Sequence, residues 1–74
     1  MAYVLINAEI GGEESLKESL NEIPQVTEVY EVYGVYDVIA RIEVADIKEL
    51  KDLISSKIRR IDGVRSTLTM IVMG

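Results

Sequence analysis

The sequence predicts one α+β domain with the element order βαββαβ. Three observations predict it. Four stretches show the two-residue apolar period of strands. Two others carry apolar residues at spacings of three and four, the period of a helix. Glycine, proline or aspartate stands at each junction between them.

Residues 2–10 form the first strand. Ala2, Val4, Ile6, Ala8 and Ile10 fall on one face, and Tyr3, Leu5, Asn7 and Glu9 on the other. Gly11-Gly12 breaks it. Residues 13–23 read as a helix through Leu16, Leu20 and Ile23, with Glu13, Glu14 and Glu18 near its N-terminus, where acids are favoured. Glu13 and Lys17 have the i,i+4 spacing of a helical ion pair, worth about 0.3 kcal/mol. Pro24 ends the helix.

Residues 26–32 are a second strand, with Val26, Glu28, Tyr30 and Val32 alternating against Thr27, Val29, Glu31 and Tyr33. Residues 32–38 then form a hairpin around Gly34, whose backbone freedom serves a turn needing positive φ. The third strand, residues 37–44, sets Val38, Ala40, Ile42 and Val44 against Asp37, Ile39, Arg41 and Glu43. Asp46 and Glu49 have capping-box spacing at the head of a second helix. Its stripe runs through Ile47, Leu50, Leu53, Ile54 and Ile58 to Ile61, and Asp62-Gly63 stops it. In the last strand, residues 64–72, Arg65, Thr67, Thr69 and Ile71 share one face and Val64, Ser66, Leu68, Met70 and Val72 the other. Met73-Gly74 is a tail.

Two βαβ units with right-handed crossovers interleave into a ferredoxin-like four-stranded antiparallel sheet with both helices on one face. The open face then carries Tyr3, Leu5 and Ile39, which is too apolar for water and predicts dimerisation through that face. Size points the same way. A domain of about 60 residues buries only about 60% of its unfolded surface. This chain has 74 residues and no cysteine, so neither a disulfide nor a thiolate-bound metal helps to stabilise it. Oligomerisation is the remaining common route.

Composition excludes several functions. There is no histidine, cysteine or tryptophan, which removes Ser-His-Asp and Cys-His catalysis and imidazole metal ligation. No catalytic residue, metal site or cofactor is expected. The net charge is −5, from 13 acids and 8 bases, which argues against direct nucleic-acid binding. The one dense basic group, Lys57, Arg59 and Arg60 with Arg65 nearby, is explained by a helix C-terminus. The apolar runs are far short of the ~20 residues that span a membrane, and no leader peptide opens the chain. The expected setting is soluble and cytoplasmic, away from membranes. Few amides beside plentiful Ile, Val, Glu and Lys give a thermophile-like composition.

Two motifs resemble one family. Gly34-Val35-Tyr36-Asp37, followed by Val38-Ile39-Ala40-Arg41-Ile42, resembles its G-x-Y-D hairpin. Ile61-Asp62-Gly63-Val64-Arg65-Ser66-Thr67-Leu68-Thr69 looks like its I-x-G-V-x-x-[ST]-x-T element. The family is the ligand-binding domain of Lrp/AsnC transcription regulators, the RAM domain, and the resemblance covers nearly the whole chain. It implies an amino acid or similar small zwitterion as effector, dimers joined through their sheets, and assembly into tetramers of dimers, with the effector between dimers near the hairpin. Carried over by position, Gly34 and Val35 offer backbone groups, Tyr36 a wall or hydroxyl, and Asp37 a partner for the effector's ammonium. Ser66, Thr67 and Thr69 are polar candidates, although Ser66 faces away from the threonines.

Full-length members carry an N-terminal helix-turn-helix domain. This chain opens almost directly into its first strand, so it looks like a stand-alone ligand-binding module or an excised domain. Mixed assembly with a helix-turn-helix relative is then one way to act on transcription. Each candidate also has a plain structural reading: Gly34 as a turn glycine, Tyr33 and Tyr36 as interface residues, Asp37 as a turn cap, and Thr67 and Thr69 as ordinary strand residues. The alternatives to an effector sensor are a purely structural oligomerisation module, an ACT-like regulatory domain with Gly11-Gly12 as its turn, and, last, a small dimeric α+β barrel enzyme.

Overall fold

The computed structural model describes residues 1–73; Gly74, the end of the predicted tail, lies outside the described residues. The order is β1 (Ala2–Ala8), α1 (Glu13–Asn21), β2 (Val26–Glu31), β3 (Val38–Ile42), α2 (Ile47–Ser56), a single 3₁₀ turn (Ile58–Arg60) and β4 (Val64–Ile71). The strands form one antiparallel sheet in the order β2-β3-β1-β4, the ferredoxin-like α+β arrangement.

The core lies between the sheet and the helices. Ala2, Val4, Ile6 and Ala8 of β1 and Val38, Ala40 and Ile42 of β3 are buried there beneath Leu16 and Leu20 of α1 and Leu50 and Leu53 of α2. Each helix presents its leucines to the sheet because they recur at helical spacing, so one face enters the core and the rest meets water. Asp46 caps α2 as the sequence predicts: its Oδ1 accepts a hydrogen bond from the Glu49 N–H at 2.8 Å.

Several predicted boundaries contract. β1 stops at Ala8, and Ile10, expected in the core, is almost fully exposed. α1 ends at Asn21, and β3 keeps only residues 38–42. The predicted second helix does not run unbroken to Ile61. α2 ends at Ser56, and the backbone leaves helical geometry at Lys57 before the 3₁₀ turn. The hydroxyls of Ser55 and Ser56 donate back to the carbonyls of Lys51 and Asp52, a local competition that bends and ends helices. Ile58 still reaches the core, so the apolar stripe outlasts the helix.

Strand facing also departs from simple alternation, twice and in the same way. Between β2 and β3 the register steps from Val26↔Ile42 to Glu28↔Arg41, leaving Thr27 as an extra residue. Val29 therefore joins Val26 on the helix-covered side, and Tyr30 lies with Ile39 on the open side. Between β1 and β4 the step from Asn7↔Ser66 to Ala8↔Val64 makes Arg65 the extra residue. Val64 thus packs on the core side with Thr67, not on the side of Ser66 and Leu68. Lys17 does not pair with Glu13; it bridges to Glu31 on β2 at 2.9 Å, tying α1 to the sheet edge. Among the described residues no helix is long and apolar enough to cross a membrane.

Candidate functional site

Three turns meet at one end of the sheet: residues 9–12 after β1, 32–37 between β2 and β3, and 61–63 before β4. Gly11, Gly34 and Gly63, one from each turn, have positive φ. Glu9 N–H donates to the Gly63 carbonyl at 2.7 Å. A methyl at Gly12 would come within 3.3 Å of the Glu9 carbonyl oxygen and 3.6 Å of the Gly63 Cα. The first and third turns are therefore locked together, backbone against backbone.

The second turn is held at its base and open at its tip. Val32 N–H donates to the Asp37 carbonyl at 2.9 Å, and Asp37 N–H donates to the Ile6 carbonyl at 3.0 Å. The Asp37 carboxylate accepts the Ala8 N–H through Oδ2 at 2.9 Å, where the β1–β3 ladder ends. This half-buried carboxylate thus satisfies a backbone donor that the sheet leaves over, while Oδ1 has no partner among the described residues. At the tip, Tyr33 and Val35 are exposed and Tyr36 is half-buried. Gly34 has φ 144°, and no atom lies within 4 Å of where a Cβ would stand, so backbone conformation alone favours glycine there.

The predicted site residues do not form one cluster within the chain. Gly34, Val35, Tyr36 and Asp37 share the hairpin. Ser66 lies at the same end of the open face, accepting from Asn7 Nδ2 at 3.1 Å, with Asn7 on the strand between Ser66 and the hairpin. Thr67 and Thr69 pair with Ile6 and Val4, whose side chains enter the core, and line a groove of about 480 Å³ between β4 and α2. The β4 irregularity precedes Ser66, so it does not turn Ser66 toward the threonines. Sequence reasoning passed over Asn7, which shares the second face of β1 with Tyr3 and Leu5. It placed Ile47 and Ile54 in the apolar stripe of the second helix and Arg59 at a helix C-terminus, and did not bring them together in a groove.

The open sheet face is apolar at its centre and polar at its hairpin end, where Asn7 and Ser66 stand. Tyr30, Ile39, Leu5 and Leu68 stand in one cross-strand row, and Glu28, Arg41, Tyr3 and Met70 in the next. Tyr30, Leu68 and Met70 are 44%, 46% and 47% exposed in the single chain. Arg41 pairs with Glu43 at 2.8 Å and, more loosely, with Glu28 at 3.8 Å. The Tyr30 hydroxyl donates to Glu28, and that bond, with smaller contributions from desolvation and the carboxylate charge, raises the phenol above its ordinary pKa. Lys17 is likewise raised, first by its hydrogen bond to Glu31 and then by the charge of Glu31.

This geometry can be set beside known proteins. The Lrp/AsnC ligand binding domain family model matches residues 1–74, the whole chain. The protein TTHA0845 of Thermus thermophilus is 37% identical, with a TM-score of 0.93 over 99% of this chain and 91% of that one. The hypothetical protein PHS023 of Pyrococcus horikoshii is 38% identical, with a TM-score of 0.91 over 97% of this chain and 87% of that one. AsnC of E. coli is 27% identical, with a TM-score of 0.94 over 99% of this chain but only 50% of its own length. No curated protein matches. The chain belongs to the Lrp/AsnC ligand-binding domain family.

Proposed function

We propose that this chain is an effector-binding and oligomerisation module. It takes an amino acid or a similar small zwitterion at the hairpin end of the sheet, dimerises through its open sheet face and assembles further into a tetramer of dimers. It is a binding module, not an enzyme. The observation that carries the reading is the placement of Asp37, an acid held rigidly at the edge of an uncovered apolar face. An α-amino acid presents an ammonium, which the second Asp37 oxygen can accept, and a carboxylate, which turn N–H groups can accept. Half-exposed Leu68, Met70 and Tyr30 form a patch of the kind that pairs with a second copy. A site completed at a subunit boundary would couple ligand to assembly by mass action. One route by which the module would reach transcription is joining oligomers of DNA-binding relatives.

The test is thermal unfolding against each of the twenty amino acids, at fixed protein concentration. A ligand at 100 times its Kd adds about 2.7 kcal/mol, enough to move the midpoint by several degrees. Asp37→Asn is the informative variant, because its amide oxygen still serves the Ala8 N–H while the charge is gone. A shift with one class of amino acid that disappears in Asp37→Asn supports the effector reading. No shift from a folded oligomer replaces it with an assembly role alone. Sedimentation of Leu68→Lys tests the dimer: a folded monomer is expected, and an unchanged mass overturns the sheet-face interface.

A further inference from the structure

We propose that the groove between α2 and β4 is a second binding site, for an amphipathic monocarboxylate: a hydrocarbon body with one anionic head. The proposal does not rest on the effector reading. The groove is built from two elements that run antiparallel, so its ends differ in chemistry. At one end Ile47, from the start of α2, meets Ile71, from the end of β4; Leu50 and Ile54 continue the apolar wall. At the other end stands Arg59, and a second recess of about 350 Å³ continues from there, sharing Arg59 and Thr67 and adding Arg65 and Ser66. Thr67 and Ile71 mark the two ends, about 13 Å apart at the rise of a strand.

Charge points to an anionic head group. The chain has 13 acids and 8 bases, yet no acid lines either recess, whereas Lys51, Arg59 and Arg65 do. Among the described residues none of these three cations is in a salt bridge; the bridges found use Lys17 and Arg41. The basic cluster lies past the end of α2, whose last turn holds no basic residue; Arg59 follows the break at Lys57, in the short 3₁₀ turn. The Thr67 and Thr69 hydroxyls add donors beside the cations. An anion fits this end. A zwitterion does not, because nothing there would neutralise an ammonium; the acid suited to that task, Asp37, stands on the hairpin. The apolar end supplies area for a hydrocarbon body, and about 480 Å³ is the scale of a small-molecule site.

Octanoate is the probe, with octylammonium and octanol as controls of equal chain length and different head. Amide NMR is expected to show octanoate shifting Lys51, Thr67 and Thr69 while leaving residues 32–37 in place, and both controls binding about tenfold more weakly or less. Arg59→Glu and Ile47→Asp are each expected to weaken octanoate by about tenfold or more. Both positions are exposed, and an acid at the first position of α2 is favoured by the helix dipole, so folding survives. Asp37→Asn is expected to leave octanoate binding unchanged, which separates this site from the effector site. Equal binding of octylammonium, indifference to Arg59→Glu, shifts centred on the open sheet face, or no binding at all would overturn the proposal. So would a lowered oligomer mass in Ile47→Asp without octanoate binding, which would assign the groove to a second copy.

Discussion

The two βαβ halves of the chain repeat each other in backbone and differ in how their helices are seated. Each runs strand, helix, strand, and each closing strand has its extra residue at its second position, Thr27 in β2 and Arg65 in β4. Each helix buries two leucines. But α1 carries no other large apolar residue, and Lys17 fastens it to β2 through Glu31. α2 carries in addition Ile54, partly buried against the core, and Ile47, which is exposed, and an open groove separates this flank from β4. α1 buries both of its apolar side chains inside the domain, whereas α2 keeps Ile47 on the surface. The same βαβ frame therefore carries one helix with no apolar residue to spare and one flanked by an open groove.

The largest expected effect tests the shared part of that comparison against the unshared part. Leu20→Ala in α1 removes a fully buried side chain and should cost about 2–5 kcal/mol in urea unfolding at fixed protein concentration. Ile47→Ala in α2 should fall within about 0.5 kcal/mol of the parent protein, because Ile47 is exposed in the single chain. Comparable losses at both positions would show that α2 is as fully seated as α1, and the contrast would fail.

A smaller effect concerns helix starts. Asp46→Ala should cost about 1 kcal/mol, the usual worth of an N-cap side chain. α1 has Gly12 at the equivalent place and no side-chain cap. Gly12→Ser is nonetheless expected to destabilise in the same unfolding experiment, since its Cβ would press on the Glu9 carbonyl oxygen at 3.3 Å. A gain in stability would mean that the lock between the first and third turns yields easily.

The smallest effect is pH dependence, and it belongs to the first half. Lys17 and Tyr30 both have raised pKa values, from ordinary values of 10.5 and 10.0, through bonds to Glu31 and Glu28. A raised folded-state pKa gives stability that is complete below the unfolded value and lost as pH rises through the folded one. Stability should therefore decline modestly above about pH 10, and Lys17→Met with Tyr30→Phe should flatten that decline, as read by urea midpoints across the alkaline range. A slope unchanged by both substitutions would remove the tie between α1 and β2 from the account.

Much of the fold was legible because its signals are local. The helical spacing of Leu16 and Leu20, the Asp46 cap and the Gly11, Gly34 and Gly63 turns all act within a few residues, and the structure has each. The hairpin residues 34–37 were legible as a turn with an acid. Their neighbour Asn7 was not: Asn7, Asp37 and Ser66 come from three separated segments that share only an end of the sheet. Thr67 and Thr69 are polar candidates by motif alongside Ser66, and they line the α2 groove because strand facing, not sequence proximity, decides what a side chain meets.

By itself the sequence determined the element order, the Asp46 cap of the second helix, the turn glycines and the presence of two apolar faces on one sheet. Periodicity and backbone preference are properties of short stretches, so they survive without knowledge of partners. Tertiary structure alone decided the two extra residues in the outer strands, the engagement of Asp37 with Ala8, and the unfilled space beside α2. Each of these depends on where a second strand or helix lies. A residue inserted in one strand is visible only against the strand it faces, and a groove exists only as the difference between two surfaces.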